Sequence, residues 1–148
     1  MSTQRNRTTF WLWAGAVVTV LASAGWWLHG ADQELDGKAP VSCGEAVRFL
    51  QAAHPPETAR KKQCTKGQWQ TTWYNIYFQT SRAEAEEWLR TTYPDAQVSR
   101  DCVEADLCAR PAAPTDGTDN GNADYLRVDI RLEERDSAYV HVSGGTSN

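Results

Sequence analysis

Residues 124–133 read DYLRVDIRLE, and their alternation decides how the rest of the chain is read. Leu126, Val128, Ile130 and Leu132 fall on one side of an extended backbone, and Tyr125, Arg127, Asp129 and Arg131 on the other. Successive strand side chains point to opposite faces, so this is a strand with one buried and one wet face. Glu134-Arg135-Asp136 makes a polar turn, and residues 138–143 return with Val140 and Val142 inward. A β-hairpin is expected, with residues 144–148 as a frayed tail. Its outward side carries Tyr125, Arg127, Arg131 and Tyr139, a first candidate binding surface.

Upstream, residues 68–80 are rich in β-branched and aromatic side chains, as strands are. Thr72, Tyr74, Ile76 and Phe78 fit a core, while Trp69, Trp73 and Tyr77 form a stripe on the opposite face. The preferred reading has a helix over that stripe, making it the second half of a core. Left open, it is a second candidate binding surface, a stacking platform for sugars or a patch for a protein.

Two capping boxes start helices on either side of this strand. Ser42-x-x-Glu45 opens one whose face is Ala46, Val47, Leu50 and Ala53, and His54-Pro55-Pro56 stops it. Ser81-x-x-Glu84 opens another through about Tyr93, with Ala85, Trp88 and Leu89 on its apolar face and Pro94 after it. Glu84, Glu86 and Glu87 suit the positive end of that helix's dipole. Arg60, Lys61, Lys62 and Lys66 read as a solvated basic loop, and residues 96–100 as a short strand. Residues 109–123 (ARPAAPTDGTDNGNA) have almost no large apolar side chain and read as a flexible loop. Asp116, Asn120 and Gly121 match part of a calcium loop, but Arg127 stands where its bidentate glutamate belongs, so no metal is expected. The fold class is α+β: two helices on a mostly antiparallel sheet of three to four strands, folded from residues 42–148.

Cys43, Cys64, Cys102 and Cys108 have no C-x2-C spacing for a metal, and their even number fits two disulfides. Cys43–Cys64 and Cys102–Cys108 are the preferred pairs because each brackets one local feature.

The N-terminal part differs from all of this. Residues 10–28 (FWLWAGAVVTVLASAGWWL) carry no charge, and as a helix they would reach roughly the ~30 Å of a bilayer's hydrocarbon core. Trp11 and Trp13 at one end and Trp26 and Trp27 at the other suit the two membrane interfaces. Arg5 and Arg7 precede the stretch, and Asp32, Glu34 and Asp36 follow it, which places the N-terminus in the cytoplasm. Residues 1–9 are then a cytoplasmic tail, 10–28 a transmembrane helix or uncleaved signal anchor, and 29–41 a tether. Cleavage after Ala24 would instead give a secreted protein.

Thirteen of the 15 basic residues and all 19 acidic ones follow residue 29, a balance of −6. That acidity argues against nucleic acid as a partner. His29, His54 and His141 each have an ordinary structural reading, although His141 with Asp129 and a serine could converge in space. No nucleotide, phosphate-loop or hydrolase signature is present, and no cofactor is expected. The expectation is a membrane protein presenting a small extracytoplasmic binding or scaffolding domain to a protein or a cell-envelope polymer. The alternative is an exported or membrane-anchored hydrolase acting on envelope material.

Overall fold

In the computed structural model, residues 38–112 and 123–146 are described, all within one packed unit, Glu34–Asn148. The apolar stretch at 10–28, with Trp11, Trp13, Trp26 and Trp27, lies outside the described residues, as does the loop at 113–122. Among the described residues no helix is long and apolar enough to cross a membrane.

The hairpin read from residues 124–143 is β6 (Tyr125–Glu133) and β7 (Ser137–Gly145), paired over nine positions from Tyr125↔Gly145 to Glu133↔Ser137. The supposed tail therefore contributes Gly144 and Gly145 to the sheet. The aromatic run is β3 (Thr71–Ser81), and it pairs with the other edge of β7 over nine further positions. β7 thus lies between β3 and β6, with Val140 and Val142 fully buried on one face.

The sheet is wider than the three to four strands expected. It has seven, in the order β1-β2-β3-β7-β6-β5-β4, and every neighbouring pair is antiparallel. The added strands have no apolar alternation to betray them. β2 (Arg60–Trp69) occupies the supposed basic loop, and β1 (Ala39–Pro40) and β5 (Leu107–Ala109) are two and three residues long; β4 (Val98–Ser99) is the short strand expected within residues 96–100. Backbone hydrogen bonding to a preformed neighbour recruits such segments whatever their side chains are. In β2 a register shift between Arg60 and Gln63, with Lys61 at φ 50°, lets the basic side chains stay exposed.

Both helices pack on the apolar face. Helix α1 (Cys43–Phe49) ends earlier than its proline stop, because Gln51 turns into the left-handed region at φ 48°. Phe49 packs on Tyr74 with ring centroids 4.4 Å apart. Helix α2 (Arg82–Thr92) sets Trp88 edge-on against Phe78 at 5.2 Å. Its polar tips then satisfy carbonyls left open after α1: Tyr93 Oη donates to Leu50 O (3.0 Å) and Trp88 Nε1 to His54 O (3.1 Å). The disulfides are Cys43–Cys64, which ties α1 to β2, and Cys102–Cys108, which closes the loop before β5.

Ser81 and Glu84 form a complete capping box, and Glu84 also accepts from Thr80 Oγ1 (2.5 Å) and Thr58 Oγ1 (2.8 Å). These donors hold the Glu84 carboxyl at about 2, against an ordinary 4.5. A depressed carboxylate stabilises the fold above its unfolded pKa, and that contribution is lost as pH falls. Stability is therefore expected to drop between about pH 4.5 and pH 2, and Glu84→Gln flattens that acid limb in thermal unfolding. In Ser42's box, by contrast, the hydroxyl accepts from Glu45 N (3.2 Å) while the Glu45 carboxylate accepts from Tyr74 Oη (2.6 Å).

The chain-entropy view of disulfides makes the longer loop the stronger constraint on the unfolded state. Cys43–Cys64 spans 21 residues and Cys102–Cys108 six. Paired Cys→Ser replacement is expected to cost roughly 3 kcal/mol at the first bridge and roughly 2 kcal/mol at the second, measured by urea unfolding.

Candidate functional site

With both helices on the apolar side, the other face of β3, β7 and β6 carries no described helix. The preferred reading of the Trp69/Trp73/Tyr77 stripe as a helix-covered core is thereby corrected. Registers place that stripe and the outward side of the hairpin on one surface, so the two candidate surfaces are a single one. Its rows run across three strands: Trp73–Gly145–Tyr125, Asn75–Ser143–Arg127, Tyr77–His141–Asp129, and Gln79–Tyr139–Arg131.

The first row is aromatic and shallow. Trp73 lies flat across β2, where a Cβ on Gly67 would come within 2.1 Å of the indole. Tyr125 folds over Gly145, whose added Cβ would meet the phenol oxygen at 2.8 Å. On the opposite face a Cβ on Gly144 would meet Leu50 at 2.7 Å. The glycine pair thus admits α1 from one side and the aromatic row from the other. Trp69 (61%) and Tyr125 (53%) are the most exposed aromatic residues on this face.

The next rows are polar and concave. Thr65 and Asn75, neighbours on β2 and β3, are buried, and Asn75 Nδ2 donates to Thr65 Oγ1 (3.3 Å). That bond turns Asn75 Oδ1 towards His141 Nε2, 3.1 Å away. A carboxamide oxygen can only accept, so Nε2 carries the hydrogen and Nδ1 keeps its lone pair. The imidazole stacks on Tyr77 with centroids 4.4 Å apart and planes 11° off parallel, and Tyr139 extends the stack at 6.2 Å from Tyr77.

On the far side of His141, Asp129 Oδ2 forms an ion pair with Arg127 Nε (2.7 Å), while the buried Oδ1 finds no donor among the described residues. Arg131 Nε donates to the Glu104 carbonyl (2.8 Å), in the loop closed by Cys102–Cys108. That loop is docked by Asp106, whose amide donates to Ile130 O (3.0 Å) and whose carboxylate accepts from Leu132 N (2.7 Å). It forms the wall of a cavity of about 450 Å³, lined by Tyr77, Glu104, Arg127, Asp129, Arg131, Tyr139, His141 and Ser143.

Of the residues expected to bind, Tyr77, Arg127, Arg131 and Tyr139 meet in this cavity, and Trp69, Trp73 and Tyr125 lie along the same face outside it. Glu104 and Asn75 were missed. Their roles depend on a disulfide loop and a cross-strand register, neither of which has a local sequence signal. Among the described residues no cluster of His, Cys, Asp and Glu could hold a metal ion.

Burial holds the His141 imidazole below its ordinary range; Asp129 opposes this, and Arg127 and Arg131 reinforce it. Burial also raises the phenols of Tyr77 and Tyr139, so both remain donors at neutral pH. His141, Asp129 and Ser143 do share this face, but no hydrogen bond joins His141 to either of the other two. A nucleophile and base in contact, the minimum for acyl or glycosyl transfer by a hydroxyl, is absent among the described residues.

A histidine with a lowered folded pKa favours the fold when neutral, and protonation favours the unfolded chain. Stability should therefore decline as pH falls from about 6.5 through the folded pKa. NMR titration of the His141 ring is expected to give a midpoint below 6.5, and Asp129→Asn to move it lower still, because a carboxylate that favours the cation is lost.

No family model matches the chain, and neither the curated proteins nor the solved structures contain a detectable relative.

Proposed function

We propose that the chain is a binding protein whose folded domain works outside the cytoplasm, at the cell membrane, with its outward sheet face as the recognition surface. The observation that carries this is the union of both candidate stripes into one open face, aromatic at one end and donor-lined and concave at the other. Two-layer folds normally solvate such a face with unremarkable polar side chains. Here Asn75 is buried, His141 is largely so, and its ring stacks on Tyr77. The location rests on two oxidised cysteine pairs, which persist in oxidising compartments. It rests equally on the basic tail and apolar stretch that precede the domain. The partner is a protein or a cell-envelope polymer.

A photo-crosslinking residue at Trp69 or at Tyr125, both exposed, is expected to capture the same species in cells, while one at Arg90 on exposed α2 captures none. Equal capture from Arg90, or none from the sheet face of exported protein, would remove the binding surface. Turnover of an esterase, glycosidase or peptidase substrate that disappears in His141→Ala would replace the reading with the hydrolase.

A further inference from the structure

We infer that the aromatic end of the outward face rests on phospholipid, at the boundary between headgroups and acyl chains. The inference depends on the membrane location proposed above and adds to it the part of the domain that meets the bilayer. A partner held along the same face then lies at the bilayer surface, within reach of Trp69 and Tyr125.

The two ends of the sheet differ in charge. At one end the β2–β3 turn, residues 67–72 (GQWQTT), carries no charged side chain, and Trp69 at its tip is 61% exposed. Trp73 and Tyr125 follow in the row Gly67–Trp73–Gly145–Tyr125. At the other end the β6–β7 turn carries Glu133, Glu134, Arg135 and Asp136, all exposed, and Arg60 opens β2 opposite Gln79. Indole and phenol rings gather at the membrane–water boundary, because each joins an apolar body to one polar tip. A turn of four charged side chains belongs in water.

The chain also enters the domain at the aromatic end. β1 runs antiparallel to β2 with Ala39 opposite Lys66, so Lys38 lies on the side of Gly67 and Trp69. Nine residues, 29–37, separate Lys38 from the uncharged stretch at 10–28, and nine extended residues reach at most roughly 30 Å. A tether of that length keeps the end it joins within reach of a bilayer. A soluble protein partner fits the pattern less well. Protein interfaces set their aromatic anchors centrally and surround them with polar groups, whereas Trp69 lies at the extremity of the face. Charge does not select the lipid either. Lys38, Lys66 and Asp124 adjoin the row with both signs, so the contact is one of rings with the interface and not of a basic patch with anionic headgroups.

Full-length protein in phosphatidylcholine nanodiscs, with no other protein present, carries a photo-crosslinking residue at Trp69, Tyr125 or Glu134, and lipid adducts are read by mass spectrometry. Trp69 and Tyr125 are expected to yield at least about tenfold more lipid adduct than Glu134. That ratio is expected to persist in about 1 M salt, where ionic contacts are screened. Trp69→Glu is expected to cut the yield at Tyr125 severalfold at an unchanged thermal midpoint, since Trp69 is exposed. Yields that do not separate Trp69 and Tyr125 from Glu134, or a ratio lost in salt, overturn the lipid contact. One protein or polymer species captured in cells from both positions then leaves the binding function standing. Protein that does not enter nanodiscs removes the membrane location, and the lipid contact with it.

Discussion

The structure depends on β7 being held on both edges. Its nine residues pair with β3 on one side and β6 on the other, so it is the strand through which the two halves of the sheet meet. Strand alternation then gives it two tasks at once. Ala138, Val140 and Val142 close the core beneath the helices, while Tyr139, His141 and Ser143 form the middle of the cavity. A shift of register by one residue would exchange these sets, putting an imidazole and a phenol under α2 and two valines in the cavity. The hydrophobic demand of the core therefore fixes the positions of the polar groups that line the cavity. The connection through α2 sends the chain from β3 to the far edge, and β4 to β7 return it to the middle. The site is complete only when the last strand docks.

How much of this could be read beforehand follows from what each element depends on. Residues 124–133 alternate because one face must be apolar, and that demand is written in Leu126, Val128, Ile130 and Leu132 themselves. Ser81 and Glu84 likewise announce a helix start through their own side chains. β2 depends on something its sequence does not contain, the free edge of β3, and its run of lysines reads as a loop until that edge is present. β5 is similar, since Leu107 and Ala109 are too few to show a period although both are buried against β6. Single residues of the site follow the same division. Arg127 and Arg131 were evident from parity, but their meeting with Tyr77 required β7 to lie between them.

The two disulfides act at different levels. Cys43–Cys64 joins the start of α1 to the core face of β2, where Cys64 is opposite Ile76, and it belongs to the packing of the domain. Cys102–Cys108 lies on the other side of the sheet, with Cys108 opposite Asp129. It holds the loop that brings the Glu104 carbonyl to Arg131. Without the wall, Arg131 would be one more long, solvated side chain with many rotamers to lose on binding. With it, the guanidinium is held in one orientation.

The outward face also carries polar groups that packing alone does not call for. Thr65, Asn75, His141 and Asp129 cross four places in a sheet where β-branched or aromatic side chains would pack without unmet hydrogen bonds. The row satisfies most of its own needs: Asn75 bridges Thr65 and His141, and Arg127 takes one oxygen of Asp129. It stops one bond short, at Asp129 Oδ1, and that atom faces the side of the sheet that no described helix covers. Local choices that oppose stability tend to gather where a protein acts, because elsewhere nothing compensates them. A sheet built only for packing would replace Asp129 with threonine or valine and lose an open acceptor. Keeping a carboxylate there, between two arginines and across from an uncharged histidine, leaves a buried acceptor without a donor among the described residues.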